Sequence, residues 1–339
     1  MTEWSAVLPY FHPTTAILVD DSKLFTKSLQ LRIPTDLAIE TIEDAREALE
    51  RISETSHMTP LTRRCVTPAH LKSDGDANRL ELDLGRIEEE VYFADRYRRV
   101  SVVVVDYGMP AMNGFEFCRR VNDPTIKKIL LTGVADRGLA VEALASGTVD
   151  GYLAKSDKGV FPRLWSLLRE LQRQHFEDQR TSIEAFSERY PEFLNDPAIG
   201  RYLNSIQSRL EIVEHYVVDR PSGLLMLNAC GDAFRLAVWT DEDMDRQEDL
   251  LRNWHAPEET AMAVRKRLRG LFLLDGEQAC PRPASAERLV DIVAIRGARP
   301  WYLGLRSKIP RLIDLHGDQS KSCFSAHIEA IGKPVVRFG

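Results

Sequence analysis

The sequence predicts an α/β fold, in which a doubly wound sheet of five parallel strands is followed by a C-terminal α+β domain. Residues 102–105 are four consecutive valines, and a short β-branched run of this kind is typical of a strand buried on both faces. Further short apolar runs alternate with helical patterns as far as residue 176, which is the order that produces parallel strands joined by helices. The second half instead has three apolar runs separated by tight turns, which predicts an antiparallel meander.

The elements of the first half follow one another in regular alternation. We expect Leu24, Phe25 and Leu29 to form the inward face of the first helix. The last helix has no Gly/Ser/Pro linker after it, so we expect it to continue toward residue 190 as a rigid junction. The predicted elements are strands at 16–20, near 36–41, and at 101–106, 128–132 and 150–154, and helices at 22–31, 43–52, 114–121, 137–146 and 158–176.

Chemically complementary side chains stand at the ends of four of these strands. Asp20 and Asp21 end the first strand, Asp106 ends the third, Thr132 ends the fourth, and Lys155 follows the fifth. The carboxyl ends of parallel strands meet at one edge of the sheet, where doubly wound folds place their ligands. Three carboxylates there suit Mg²⁺, which takes a few carboxylate ligands and accepts phosphate oxygens as further ones.

This set of residues resembles the receiver domain of two-component response regulators, which has a flavodoxin-like fold. The resemblance implies that Asp106 accepts a phosphoryl group from a sensor histidine kinase or a phosphotransfer protein. It also implies that Asp20, Asp21, Asp106 and the backbone carbonyl of Gly108 bind Mg²⁺. Phosphoryl transfer needs positioning and charge neutralisation more than covalent chemistry, and these residue types supply both.

The resemblance assigns roles to three further side chains. Thr132 and Lys155 would bind the phosphoryl oxygens, and Tyr152 would be the aromatic switch residue that swings inward as Thr132 moves. A half-buried tyrosine with a purely structural role is the alternative at position 152. A receiver that has lost phosphorylation is a further alternative, because intact site residues do not prove turnover.

Two departures from the receiver pattern lead to predictions. Receivers carry a proline after a cis peptide where this chain has Ser156, and a cis bond before a non-proline residue costs about 2.5–4 kcal/mol. We therefore expect the Lys155–Ser156 bond to be trans. The positions that orient the hydrolytic water in receivers are Gly108 and Val134 in this chain, and their side chains cannot form hydrogen bonds. This predicts a long-lived phosphoryl group.

A long insert, at about 54–99, separates the second helix from the third strand. Leu80, Leu84, Ile87, Val91 and Ala94 recur at a spacing that predicts one helix with a single apolar stripe. The stripe could pack on another part of the same chain, or it could serve a dimer or a partner protein. The sequence leaves both alternatives open.

The predicted domains are a receiver over 1–176 and an α+β output domain over 177–339. A helical region reaches about residue 213, and Thr240 and Pro257 precede two later helices. The expected strands of this half are a meander at 212–218, 223–228 and 233–239 and a pair at 289–296 and 300–306.

The output half is similar in layout to that of quorum-sensing response regulators that lack a helix-turn-helix. A protein-interaction or homodimerisation module is the first hypothesis, with a nucleotide or small-molecule module and an atypical DNA-binding module as alternatives. The basic run Arg265-Lys266-Arg267, with Arg269, could contact nucleic acid, or it could simply suit the end of a helix. No motif of a cyclic-dinucleotide synthase, phosphohydrolase or kinase is recognised, so we expect a signalling protein and not an enzyme.

Composition favours an ordinary two-domain protein of the cytoplasm. The chain has 339 residues, 44% of them hydrophobic and 28% charged, with a formal net charge of −6. That charge argues against a general attraction to nucleic acid or to anionic membranes. The five cysteines are scattered and odd in number, as expected for free thiols in a reducing compartment. We expect neither a secretory signal nor a membrane span.

Overall fold

The computed structural model describes residues 7–56, 61–68, 80–133, 137–186, 190–273, 288–307 and 323–332. These residues form two compact units, and each unit draws on several separate chain segments. The receiver unit lies within 12–63, 93–182 and 321–339, and the output unit lies within 1–11, 64–92 and 183–320. The segments of the two compact units alternate along the chain. The domain boundary at residue 176 stays a prediction.

Strands and α-helices follow one another along the described residues. The strands are β1 (Tyr10–Phe11), β2 (Thr15–Val19), β3 (Ala38–Ile42), β4 (Val66–Pro68), β5 (Leu80–Leu82), β6 (Val100–Asp106), β7 (Lys127–Thr132), β8 (Gly151–Ala154), β9 (Ile212–Val218), β10 (Gly223–Asn228), β11 (Ala233–Trp239), β12 (Arg269–Leu271), β13 (Leu289–Arg296) and β14 (Pro300–Ser307). The helices are α1 (Lys23–Gln30), α2 (Ala45–Ser56), α3 (Leu61–Arg64), α4 (Leu84–Glu89), α5 (Gly114–Arg120), α6 (Arg137–Ala145), α7 (Val160–Phe186), α8 (Pro197–Leu210), α9 (Asp241–Asn253), α10 (Glu258–Arg265) and α11 (Phe324–Gly332).

The receiver unit is built on the predicted five-stranded parallel sheet, in the order β3-β2-β6-β7-β8. Alternate side chains of each central strand enter different cores. Ile17 and Val103 belong to one hydrophobic cluster, and Leu18 and Val104 belong to another. Successive strand residues point to opposite faces of a sheet, so the valine run is continuous because both faces are covered. The predicted fold class of this half is confirmed.

The first helix differs from its prediction in one residue. Leu29 is fully buried and Phe25 is half-buried, but Leu24 is 82% exposed. The expectation that Leu24 faces inward is therefore wrong. Positions 25 and 29 are one helical turn apart and share a face, whereas position 24 is rotated away from position 25 by about 100°.

The insert does not form the single long helix that was predicted. Leu80 lies in β5, which pairs with β4 as a short antiparallel hairpin, and the α-helix that follows has six residues. Ile87 and Val91 are buried, whereas Ala94 is exposed. The insert helix α4 packs against β9 of the output unit, so its apolar side is covered within the chain. Residues 57–60 and 69–79 of the insert lie outside the described residues.

A salt bridge also attaches the insert to the output sheet. Arg235 on β11 is almost fully buried, and its Nη1 lies 2.7 Å from Glu88 Oε1 on α4. Arg235 also donates a hydrogen bond to the backbone carbonyl of Arg220, at 2.8 Å. Removing Glu88 would leave the buried Arg235 guanidinium without its carboxylate partner, which is costly.

The output unit contains a seven-stranded sheet in the order β1-β9-β10-β11-β14-β13-β12. Its pairings are antiparallel, so the predicted meander and strand pair are confirmed, while β1 and β12 were not predicted. Helices α9 and α10 contribute to one core with Ala237 and Trp239. Thr240 caps α9 through a capping box with Asp243, as its sequence position predicted.

Helix α11 belongs to the receiver unit although it follows the output segments in sequence. It packs on the edge strand β3. Phe324 is buried against Tyr97, with ring centroids 5.5 Å apart, and His327 Nε2 lies 3.0 Å from Thr15 Oγ1. The sequence analysis assigned these residues to the output domain and did not predict that α11 packs within the receiver unit. Among the described residues, no helix is both long and apolar enough to cross a bilayer.

Candidate functional site

The site lies at the carboxyl edge of the receiver sheet, where β2, β6, β7 and β8 end. Asp20 follows β2 and is fully buried, and its backbone N–H donates to the Ile42 carbonyl at 3.2 Å. Asp106 ends β6 and is 7% exposed. Two buried strands therefore carry their carboxylates into a largely dehydrated position, which is costly unless a cation or hydrogen bonds compensate.

Three predicted carboxylates and the predicted lysine lie together. Asp20, Asp21 and Asp106 each offer an oxygen, and these oxygens lie within 4.8 Å of one another. Lys155 Nζ lies 2.7 Å from Asp20 Oδ2 and 2.9 Å from Asp106 Oδ1. Three carboxylates and one ammonium leave an excess of negative charge, which fits a divalent cation that prefers oxygen ligands.

Burial dominates the electrostatics of Asp20. Loss of water around this carboxyl raises its pKa above the ordinary value, although Lys155 and the Ser22 N–H pull the pKa in the opposite direction. The Ser22 N–H donates to Asp20 Oδ1 at 3.0 Å. A buried carboxylate whose charged form is disfavoured gains from any additional positive charge placed beside it.

Thr132 ends β7 in a fully buried position. Its Oγ1 has no hydrogen-bond partner among the described residues. Its backbone carbonyl accepts the N–H of Lys155 at 2.9 Å, so the main chain links the two residues. A buried hydroxyl without a partner is costly, and a ligand oxygen at the site would satisfy it.

Gly108 lies close to the Asp106 carboxylate. A Cβ atom built on Gly108 would stand 3.6 Å from Asp106 Oδ2, an ordinary van der Waals distance. A side chain at position 108 would therefore begin in ordinary contact with Asp106, without a clash. Val134, the other residue predicted to lack a water-orienting group, lies outside the described residues.

Tyr152 is half-buried on β8 and packs against the core cluster that contains Val105 and Phe117. It also lines an open groove of about 650 Å³ between α6, β8 and α7. Leu144 and Leu167 contribute apolar walls to the same groove. The switch role and the structural role predicted for this tyrosine both remain compatible with its position.

The bond after Lys155 is trans, because the cis peptide bond of the described residues is Arg220–Pro221. This prediction is confirmed.

The sequence did not identify how tightly the loop after Asp106 closes. A Cβ on Gly114 would stand 2.5 Å from the Asp106 carbonyl oxygen, so only glycine fits there. Asn113 caps α5 by accepting the Glu116 N–H at 2.8 Å.

The three arginines near the end of α10 are engaged by carboxylates of the output unit. Arg265 Nε lies 2.8 Å from Glu248 Oε1, and Arg269 Nε lies 3.1 Å from Asp291 Oδ1. Arg267 forms an ion pair with Asp245. These partners favour the interpretation that the cations suit the local structure over the interpretation that they form a nucleic-acid surface.

The strand order and the side chains at the carboxyl edge of the sheet resemble those of receiver domains of response regulators. Over nearly its full length, the chain is similar to the response regulator LqsR of Legionella pneumophila, with 27% identity over 97% of each chain and a TM-score of 0.74. The chain thus shares its overall fold with a response regulator, output half included.

Shorter structures match about half of the chain. An adenylate cyclase from Rhodopirellula baltica aligns at 23% identity and a TM-score of 0.33, covering 51% of this chain and 96% of its own. A CheY-like receiver domain protein from Methanospirillum hungatei JF-1 aligns at 17% identity and a TM-score of 0.32, covering 49% of this chain and 98% of its own. Scores this low support no conclusion about activity. Neither a protein-family model nor a curated protein sequence matches the chain.

Proposed function

We propose that the protein is a phosphorylation-dependent response regulator of the cytoplasm whose phosphoryl acceptor is Asp106. The observation that carries the proposal is the position of the Lys155 ammonium, 2.9 Å from Asp106 and 2.7 Å from Asp20. A cation beside a nucleophilic carboxylate neutralises the charge that a phosphoryl group brings. The phosphoryl donor would be a phosphohistidine of a sensor histidine kinase or a phosphotransfer protein.

The proposed transfer is a substitution at phosphorus. A carboxylate oxygen of Asp106 attacks the phosphorus atom, and a P–O bond forms while the P–N bond to the imidazole breaks. The imidazole nitrogen keeps the electron pair of the broken bond and leaves with it. The unpartnered hydroxyl of Thr132 would donate a hydrogen bond to a phosphoryl oxygen, and Lys155 would bind another.

The oxygen-rich cluster supports a magnesium requirement. Asp20, Asp21, Asp106 and the backbone carbonyl of Gly108 would hold Mg²⁺, which when bound supplies positive charge to the phosphoryl oxygens. The excess negative charge of the cluster and the raised pKa of Asp20 are consistent with this role.

Phosphorylation would act by favouring one of two conformers. A phosphoryl group shifts such an equilibrium only by binding one conformer better, and the unpartnered Thr132 hydroxyl supplies a contact that only the phosphorylated state makes. Tyr152 would move with Thr132 and alter the surface beside α6 and α7. The output unit would respond by a conformational change or by homodimerisation. A quorum-sensing pathway, a nucleotide-binding output and a DNA-binding output stay predictions from the sequence.

Light scattering coupled to size-exclusion chromatography tests the proposal. The wild type, Asp106→Asn and the surface control Asp219→Asn would be compared with and without Mg²⁺ and beryllofluoride, with phosphoryl uptake from acetyl phosphate measured by intact mass. We expect uptake and a change in elution or mass for the wild type and the control, and neither for Asp106→Asn. Uptake that persists in Asp106→Asn, or a wild type that takes up no phosphoryl group, would contradict the proposal.

A further inference from the structure

The Lys155 ammonium has a third neighbour besides its two carboxylates. Its Nζ lies 4.8 Å from the centroid of the Phe25 ring on α1. A cation within about 6 Å of an aromatic centroid is attracted to the negative face of the ring. An ammonium has three N–H donors, and the Lys155 ammonium has three neighbours, namely the two carboxylates and the ring.

Other aromatic residues pack near the Phe25 ring. Phe25 lies 5.8 Å from Phe161, and Phe161 lies 6.3 Å from Trp165 in a stacked arrangement. Phe161 and Trp165 are four residues apart on α7 and therefore share a face of that helix. The guanidinium of Arg32, which follows α1, lies 5.0 Å from the centroid of Phe161. The ring that meets Lys155 thus belongs to a packed aromatic row and is held in place by it.

The start of α1 ties the position of Phe25 to the carboxylate cluster. Ser22 donates its backbone N–H to Asp20 Oδ1 at 3.0 Å, and its Oγ accepts the Phe25 N–H at 3.4 Å. The same capping residue therefore connects one carboxylate that binds Lys155 with the ring that binds Lys155. The neighbouring Leu24 is exposed to solvent, whereas the Phe25 ring lies beside Lys155.

We propose that Phe25 is a positioning residue that holds the Lys155 ammonium at the acceptor site by a cation–π contact. The inference rests on the proposed transfer to Asp106. During transfer, the carboxylates that bind the ammonium change their charge and their ligands, because one becomes an acyl phosphate and both belong to the expected metal site. The ring face does not change. Phe25 therefore keeps Lys155 in place in the step where its other contacts are being exchanged.

Fluorinated phenylalanines at position 25 test the inference, because added fluorine weakens the cation–π attraction while the ring keeps nearly the same shape. The rate of phosphorylation by acetyl phosphate at fixed Mg²⁺ should fall stepwise with fluorine number. Phe25→Leu should be about threefold to tenfold slower than the wild type, and Phe25→Trp should retain the wild-type rate. The same series at Phe115, whose ring lies 4.5 Å from the Arg119 guanidinium, is the matched control and should leave the rate unchanged.

A second readout measures the contact without any phosphorylation. In protein labelled at lysine Cε, the NMR signal of Lys155, assigned with Lys155→Arg, should carry a ring-current shift that disappears in Phe25→Leu. A stepwise fall in rate together with this shift supports the inference. If the wild type is phosphorylated but the rate does not change with fluorination at position 25, the inference alone is overturned. Absence of the ring-current shift has the same consequence. A wild type that is not phosphorylated at Asp106 overturns the proposed function, and the positioning role with it.

Discussion

Replacing Lys155 with methionine removes the positive charge from the carboxylate cluster while keeping a side chain of similar length. The wild-type cluster has three carboxylates and one ammonium, and Asp20 and Asp106 are almost completely buried. Loss of one partner from a buried ion pair costs about 3–5 kcal/mol. The Lys155 side chain is 23% exposed and partly screened by water, so we expect a loss near the lower limit, about 3 kcal/mol.

The loss should depend on pH in a defined direction. Burial already raises the pKa of Asp20, and removing Lys155 takes away the strongest influence that lowers it. A carboxyl group whose pKa is raised by folding contributes stability below its unfolded value of 3.8, and that contribution disappears as the pH rises through the folded value. The difference between Lys155→Met and the wild type should therefore be small near pH 4 and grow toward pH 7.

Hydrogen exchange of the β6 amides in EDTA, at increasing urea concentration, measures this difference in the receiver unit alone. Lys158→Met is the matched control, since Lys158 is exposed and near in sequence. The double variant with Asp20→Asn should recover part of the lost stability because it removes a buried charge. A loss in Lys155→Met that does not vary with pH, or that Asp20→Asn fails to relieve, would refute the electrostatic reasoning.

Two other predictions concern turnover and the output unit. The phosphoryl group on Asp106 should persist for minutes rather than seconds after the donor is removed. Gly108→Asn should shorten this lifetime, because a side chain that can orient water fits beside Asp106 at position 108. Loss of radiolabel measures both lifetimes, and an unchanged lifetime in the variant would count against the water-orienting argument. In the output unit, the buried Asp196 carboxylate caps α8 by accepting the Ala198 N–H at 2.8 Å and also accepts the Trp301 indole N–H at 2.7 Å. Asp196→Ala should cost about 3 kcal/mol in urea unfolding and Asp196→Ser about 1 kcal/mol less, because serine keeps the cap but does not reach the indole. Equal losses would show that the cap adds nothing, and an Asp196→Ser variant as stable as the wild type would show that the indole contact adds nothing. These hydrogen bonds hold the pKa of Asp196 below 3.8 despite its burial, so the stability it provides should be present above that pH and disappear as the pH falls through its folded pKa.

The sheet and the positions of the four charged site residues were predictable because local patterns determine them. A valine run ending in Asp106, or an apolar strand ending in Asp20 and Asp21, places those side chains at the sheet edge whatever surrounds the sheet. The Phe25 contact with Lys155 was not predictable. It joins residues 130 positions apart, and an apolar residue on an amphipathic helix has the same sequence pattern whether it meets a core or a cation.

The insert was misread for a related reason. Leu80 and Leu84 have helical spacing, but Leu80 pairs as a strand with the 66–68 segment, and such pairing overrides local periodicity. The sequence could not indicate that α4 would be held by a buried arginine from β11, since that partner lies 147 residues further along the chain. The turns and caps of the output half, by contrast, were predictable from Thr240 and from the meander spacing.

The interleaving of the two units also sets the order in which a newly made chain can fold. Strand β1 pairs with β9, and these strands are separated by roughly 200 residues, which a ribosome takes on the order of ten seconds or more to add. Helix α11, which covers Tyr97, is made later still. Neither unit can be completed while the chain is still short, so the growing polypeptide must keep apolar surfaces soluble until late in synthesis. Chaperone dependence and slow refolding are the expected consequences of this long-range connectivity.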